Sequence, residues 1–199
     1  MHFFRILIFS IFAQPIFSEA QINQALKDQI LDMVKLDKAL RDSVYMASQV
    51  HGWSSKITLT YVESQKIIDK ENRDKFEELV TKNGWPGKSL VGEEAAKGAL
   101  LLLQHSDSAL QEKYLTKVIY AANHKEVPWS EVAYIQDGIL LKKGKKQLYG
   151  TRYEVRFEKD KKYFVLLPIE DEKNVEARRK KIGLRPLKEA AKDYGIILK

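Results

Sequence analysis

Apolar residues recur at intervals of three, four or seven along Ile22, Leu26, Ile30, Met33, Leu40, Val44 and Ala47, the stripe of a long amphipathic helix over residues 22–50. Lys27, Asp28, Asp32, Lys35, Asp37, Arg41 and Asp42 fall on its polar side and are expected to face solvent. Gly52 breaks the pattern. A shorter helix is expected over 59–68, and another from Asp69 or Asn72 to Asn83-Gly84, where glycine can take the left-handed conformation that closes a helix. Trp85-Pro86-Gly87 is a turn. Gly92 then opens a helix that runs into Leu100-Leu101-Leu102-Leu103, and so long an apolar run places it at the centre of the domain. Ser106-Asp107-Ser108 ends that helix. The next is expected to start with a capping box of Ser108 and Gln111 and to reach about His124. Pro128, with Ser130 as N-cap, starts a further helix through Leu140.

The period changes after Gly144. Gln147, Tyr149, Thr151, Tyr153, Val155 and Phe157 alternate with Arg152, Glu154, Arg156 and Glu158, residues 159–162 make a polar turn, and 163–169 read as a second strand. Such a two-stranded antiparallel hairpin is not stable alone and must lie on the helices, with most of its aromatics (Tyr149, Tyr153, Phe157, Tyr163, Phe164) on the core side. Two short helices follow, over 172–181 and 186–194. The expected fold is a single, mainly helical α+β domain with a hairpin near the C-terminus.

Composition narrows the function. The chain of 199 residues has no cysteine, which removes disulfide frameworks, thiolate nucleophiles, iron–sulfur clusters and Cys-based zinc sites. Residues 1–20 read as a secretory signal: His2 and Arg5, an apolar run from Ile6 to Ile16 broken by Gln14 and Pro15, then Ser18-Glu19-Ala20 as cleavage site. The mature domain is expected to be residues 21–199, periplasmic or secreted, with no segment able to span a bilayer. The net charge of +7 is unevenly spread: Gly138 to Lys199 carries 18 Lys plus Arg against 9 Asp plus Glu. That end could meet an acidic partner, although for an exported protein a soluble basic face is the simpler expectation and a nucleic-acid partner is not expected.

Three segments place polar residues beside apolar or turn-forming ones: Gly84-Trp85-Pro86, Gln104-His105-Ser106-Asp107 with Gln111 one turn on, and Gln147-Leu148-Tyr149-Gly150-Thr151. In this order, and followed by Arg178-Arg179 ahead of Gly183-Leu184, they resemble an uncharacterised bacterial family with G-W-P, Q-H-x-D, Q-x-Y-G-T and Arg-Arg…Gly-Leu motifs. The likeness covers residues 69–194 and implies no activity, since that family has none assigned. The chain departs from the pattern with Ser106 where Ala is usual, Gly138 where Arg commonly follows the Asp, and Arg152 where Gln often follows the Thr.

His105 is the candidate proton shuttle, with Asp107 as its orienter if the helix ends between them. The bland alternative is a helix-end histidine bonded to backbone, with Asp107 capping the next helix. Gln147, Tyr149 and Thr151 share one face of the expected strand and could line a wall, Gly150 allows close approach, Trp85 is a core or cleft-edge aromatic, and Arg178 and Arg179 could fork onto a carboxylate or phosphate. H-E-x-x-H, Walker, G-x-S-x-G and G-x-G-x-x-G signatures are missing, and neither a metal nor a cofactor is implied. The expected site is a polar cleft for a small polar or peptide-like ligand, formed where Gln104–Asp107 meets Gln147–Thr151 with Trp85 nearby. The alternatives are a metal-independent hydrolase using His105 and Asp107, and a partner-binding module using the basic C-terminal face.

Overall fold

The computed structural model describes residues 22–158, 161–193 and 196–197, so the expected signal segment lies outside the described residues. Asn23 starts α1 (Gln24–His51) by accepting from the Leu26 amide, and Ser55 does the same for Thr58 at the head of α2 (Lys56–Asn83). Residues 56–83 form one continuous helix rather than the two expected. The stretch holds no Pro or Gly, and the would-be breaker Asp69 is drawn across to Arg41 of α1.

α1 runs beside α3 (Lys88–His105) in the same direction. The Asn23 amide donates to the Leu90 carbonyl at one end, Gly98 lets Ile30 and Val34 come close in the middle, and Asp37 and Arg41 reach His105 at the other. Past Arg41, α1 continues to His51 and α2 returns from Lys56, so these two helix ends overhang the end of α3. Gly92, at φ 80°, separates the first turn of α3 from its leucine-rich body.

α4 (Ser108–Asn123) and α5 (Trp129–Lys142) complete the helical body. Its core joins Ile30, Val34, Phe76, Val80, Leu100, Leu103, Tyr114, Val118, Val132 and Ile135, each almost fully buried. Burying a large apolar side chain contributes about 1.5–3 kcal/mol, so this cluster is the main source of stability. Asp107, not Ser108, caps α4, while Gln111 donates to the carbonyls of Gln104 and Ser106 and ties the end of α3 to the start of α4. α5 begins at Trp129, one residue before the expected cap Ser130.

The hairpin of β1 (Tyr153–Glu158) and β2 (Lys161–Leu166) is antiparallel, with Tyr153 opposite Leu166 and Arg156 opposite Tyr163. β3 (Ile196–Ile197) adds to β2 in parallel. A 3₁₀ turn (Glu172–Asn174) leads into α6 (Val175–Lys181), followed by α7 (Leu187–Asp193). Ile169, Val175 and Leu187 make a second, small core with Leu166. Tyr153, one of the aromatics expected mostly on the core side, is exposed, as is Val155 two residues on.

Candidate functional site

His105 is the last residue of α3, where the helix stops and side chains from α1 and α2 close in. Its Nδ1 lies 2.8 Å from Oδ2 of Asp37, a carboxylate only 1% exposed, whereas the ring itself is partly open. Burial alone would raise the Asp37 carboxyl. The hydrogen bonds from His105 and Arg41, with the charge of Arg41, outweigh that, hold it below the usual Asp range and keep it ionised near neutrality. An ionised carboxylate at Nδ1 places the ring proton there and leaves Nε2 as the unprotonated nitrogen of the neutral imidazole.

The guanidinium of Arg41 sits between two acids. Its Nε donates to Asp37 (3.2 and 3.3 Å) and its Nη2 to Asp69 (2.7 Å), which also accepts from Gln65 (2.8 Å). Arg41 Nε also lies 3.0 Å from His105 Nδ1 and competes with Asp37 for that atom. With Asp37 charged, the Nδ1 proton serves the carboxylate and Arg41 does the same from its other side.

The groove beside the ring, of about 370 Å³, is lined by Asp69, Lys70, Arg73, His105, Ser106 and Asp107. Asp107 does not orient His105. Its Oδ1 caps Leu110 of α4 and its Oδ2 takes a 2.8 Å bond from Arg73; the Arg73 bond first, then the Leu110 amide, hold its carboxyl low. Ser106 spends its hydroxyl on the Leu102 carbonyl. Among the described residues no group of three or more His, Asp or Glu is arranged to hold a metal ion.

A second centre lies at Asp137 of α5, fully buried. Its Oδ1 accepts from the amides of Leu148 (2.7 Å) and Tyr149 (3.1 Å), its Oδ2 from the amide (3.0 Å) and hydroxyl (2.8 Å) of Thr151. The Q-x-Y-G-T segment is therefore a loop wound around a carboxylate, not the start of a strand, and its side chains do not share a wall. Gly150 makes the winding possible: at φ 68°, with a Cβ position 2.9 Å from Ile169 and Leu187, no other residue fits without strain. Gln147, fully buried, donates to the carbonyls of Arg152 and Leu167 and accepts from the Arg152 amide. Arg178 and Arg179 lock the loop from outside, on the carbonyls of Leu148 and Tyr149. Burial, and then the Asp137 charge, raise the Tyr149 phenol above its usual value.

Two of the three departures from the resembled pattern, Gly138 and Arg152, meet in space. Arg152 stacks 3.3 Å from the centre of the Tyr134 ring, and a Cβ on Gly138 would lie 2.5 Å from its guanidinium. A guanidinium thus stands beside residue 138 even though residue 138 has no side chain.

The expected single cleft is in fact several. Gln104, Glu131, Thr151, Arg179 and Arg185 line a cleft of about 540 Å³ between α5 and the C-terminal segment, with Gln104 donating to Glu131 at 2.7 Å. So Gln104 and the Thr151 loop do converge, but His105 opens into the other groove and Gln147 into none. Trp85 packs edge-on against Phe76 and lines a third groove with Tyr120 and His124. Sequence reasoning missed Asp37, Arg41, Asp69 and Asp137.

The chain belongs to a family of unknown function, DUF6624, which it matches over residues 24–197. No curated protein and no solved structure matches it.

Proposed function

We propose, for this member of a family whose function is unknown, that the groove at His105 is an acid–base site of a hydrolase acting on a small polar substrate. The observation that carries the reading is the buried Asp37 carboxylate 2.8 Å from Nδ1 of a partly exposed imidazole. Nε2 takes a proton from a water molecule as that water attacks, Asp37 stabilises the imidazolium that forms, and the proton returns to the leaving group. Arg73, whose pairing with Asp107 and Asp74 holds it firmly protonated, supplies positive charge for an anionic intermediate. The groove's mixed lining of Lys70, Arg73, Asp69 and Asp107 favours a substrate that carries both donors and acceptors, as a peptide-like molecule does.

Assays of the purified chain on p-nitrophenyl acetate, p-nitrophenyl phosphate and short peptides test the reading. Turnover of one class, abolished by His105→Ala in a variant that stays folded, is expected. A variant that melts earlier but turns over normally would leave His105 a structural residue.

Ligand binding without reaction is the second reading, favoured by the 540 Å³ cleft that Gln104, Thr151 and Arg179 line. Export belongs to either reading. It rests on the N-terminal signal pattern, and N-terminal sequencing of product exported by a bacterial host should find Gln21 first.

A further inference from the structure

We infer that the overhanging end of the α1–α2 hairpin is a self-association surface that pairs with the same surface on a second copy of this chain. This end is built inside out. Between its two helices lie small or polar buried residues, Ala47, Ser48, Thr58 and Gln65, while the large apolar ones face away from the protein. Tyr45 is 57% exposed, Met46 60%, Val50 70% and Trp53 62%, with Ile57, Leu59 and Tyr61 close behind. α1 and α2 pack on each other and on α3, and α3 ends at His105, so among the described residues no further helix or strand forms a third layer over this end.

Area and charge both fit a second copy. With aromatic side chains presenting roughly 150–250 Å² each when whole and aliphatic ones less, these seven expose on the order of 700 Å² over the whole end, most of which a second copy must cover to approach the ~800 Å² each partner buries in a standard interface. Lys56 is the one Lys, Arg, Asp or Glu between Ser43 and Val62, in a chain of net charge +7 whose excess lies beyond Gly138. Two such chains repel unless they meet through a neutral face, and this end is neutral enough to allow it. Aromatics and Met without charge are the composition of a homodimer core. Exposed Gln49, Ser54 and Thr60 among them suit a protein partner better than the hydrocarbon core of a bilayer, which offers no hydrogen bonds. Two overhangs laid together make a four-helix contact that buries both outer faces.

Sedimentation equilibrium of the full chain tests this. We expect a dimer at tens of micromolar, converted to monomer by Val50→Asp with Trp53→Ser, the dissociation constant rising by an order of magnitude or more with an unchanged circular-dichroism melt. Lys180→Glu with Lys188→Glu, at the basic end, should leave the dimer intact. Should the double variant at the overhang unfold, Met46→Lys repeats the test with one exposed change. A chain monomeric at about 100 μM, or a dimer that survives Met46→Lys and the double variant, overturns the inference. So does a monomer that floats with phosphatidylcholine vesicles through Trp53, which would hand the face to lipid.

Discussion

Asp37 and Asp137 are buried equally, at 1% and 0% exposure, each on a helix and each gripped by groups from other elements. They differ in what grips them. The donors to Asp137 are main-chain amides and one hydroxyl of a single loop, all used up in the contact, so the carboxylate is a clasp between the helical body and the C-terminal segment. The donors to Asp37 are side chains from α1, α2 and α3, and one of them, His105, keeps a second nitrogen at a groove. A buried charge whose partners are spent is a structural element. One whose partner has a further reactive atom can do chemistry.

The largest effect that would break this contrast belongs to the clasp. Asp137→Ala leaves several loop donors buried without an acceptor, and about 3–5 kcal/mol of stability should go. Urea unfolding measures the loss, and amide exchange should show residues 148–151 opening first. A loss below about 1 kcal/mol would deny the clasp its role.

Asp37→Asn sharpens the other half. It keeps an acceptor of the same shape, so the stability cost should be smaller, about 1–3 kcal/mol, while any turnover by the groove should fall about 10²–10⁴-fold. The pH dependence follows from the lowered Asp37 carboxyl. A carboxyl held below its unfolded value of 3.8 contributes stability that is fully present above that pH and is lost as pH falls through the folded value. The part of the stability difference between wild type and Asp37→Asn that the carboxylate itself supplies should therefore shrink below about pH 4. A difference that grows with acid would mean that the carboxylate is not stabilised by its partners.

Asp107→Asn should do least. Asn caps helices as well as Asp, and the exposed pairing with Arg73 is worth about 1 kcal/mol or less. A large drop in turnover from this change would return to Asp107 the orienting role that Asp37 holds.

The helices and the hairpin were legible because periods of 3.6 and 2 survive in the residues that pack. α2 read as two helices because Asp69 is a good cap in isolation, and the tie to Arg41 that keeps it in mid-helix crosses to another element. Asp37 was half visible. The stripe steps seven positions from Met33 to Leu40, and the beat it misses falls on Asp37, an acid on the buried face. His105 stood out by its motif, but its partner is 68 residues away rather than two. The Q-x-Y-G-T loop imitated a strand because its alternation is real, whereas the amides that Gly150 turns onto Asp137 leave no periodic trace.

Long-range ¹H–¹⁵N correlation spectra of the His105 ring near neutral pH decide whether Asp37 orients the imidazole, because Asp37 and Arg41 ask opposite tautomers of the same Nδ1. A protonated Nδ1 and an unprotonated Nε2 are expected in the wild type, with that preference lost in Asp37→Asn. A proton on Nε2, with Nδ1 accepting from Arg41, would contradict that orientation.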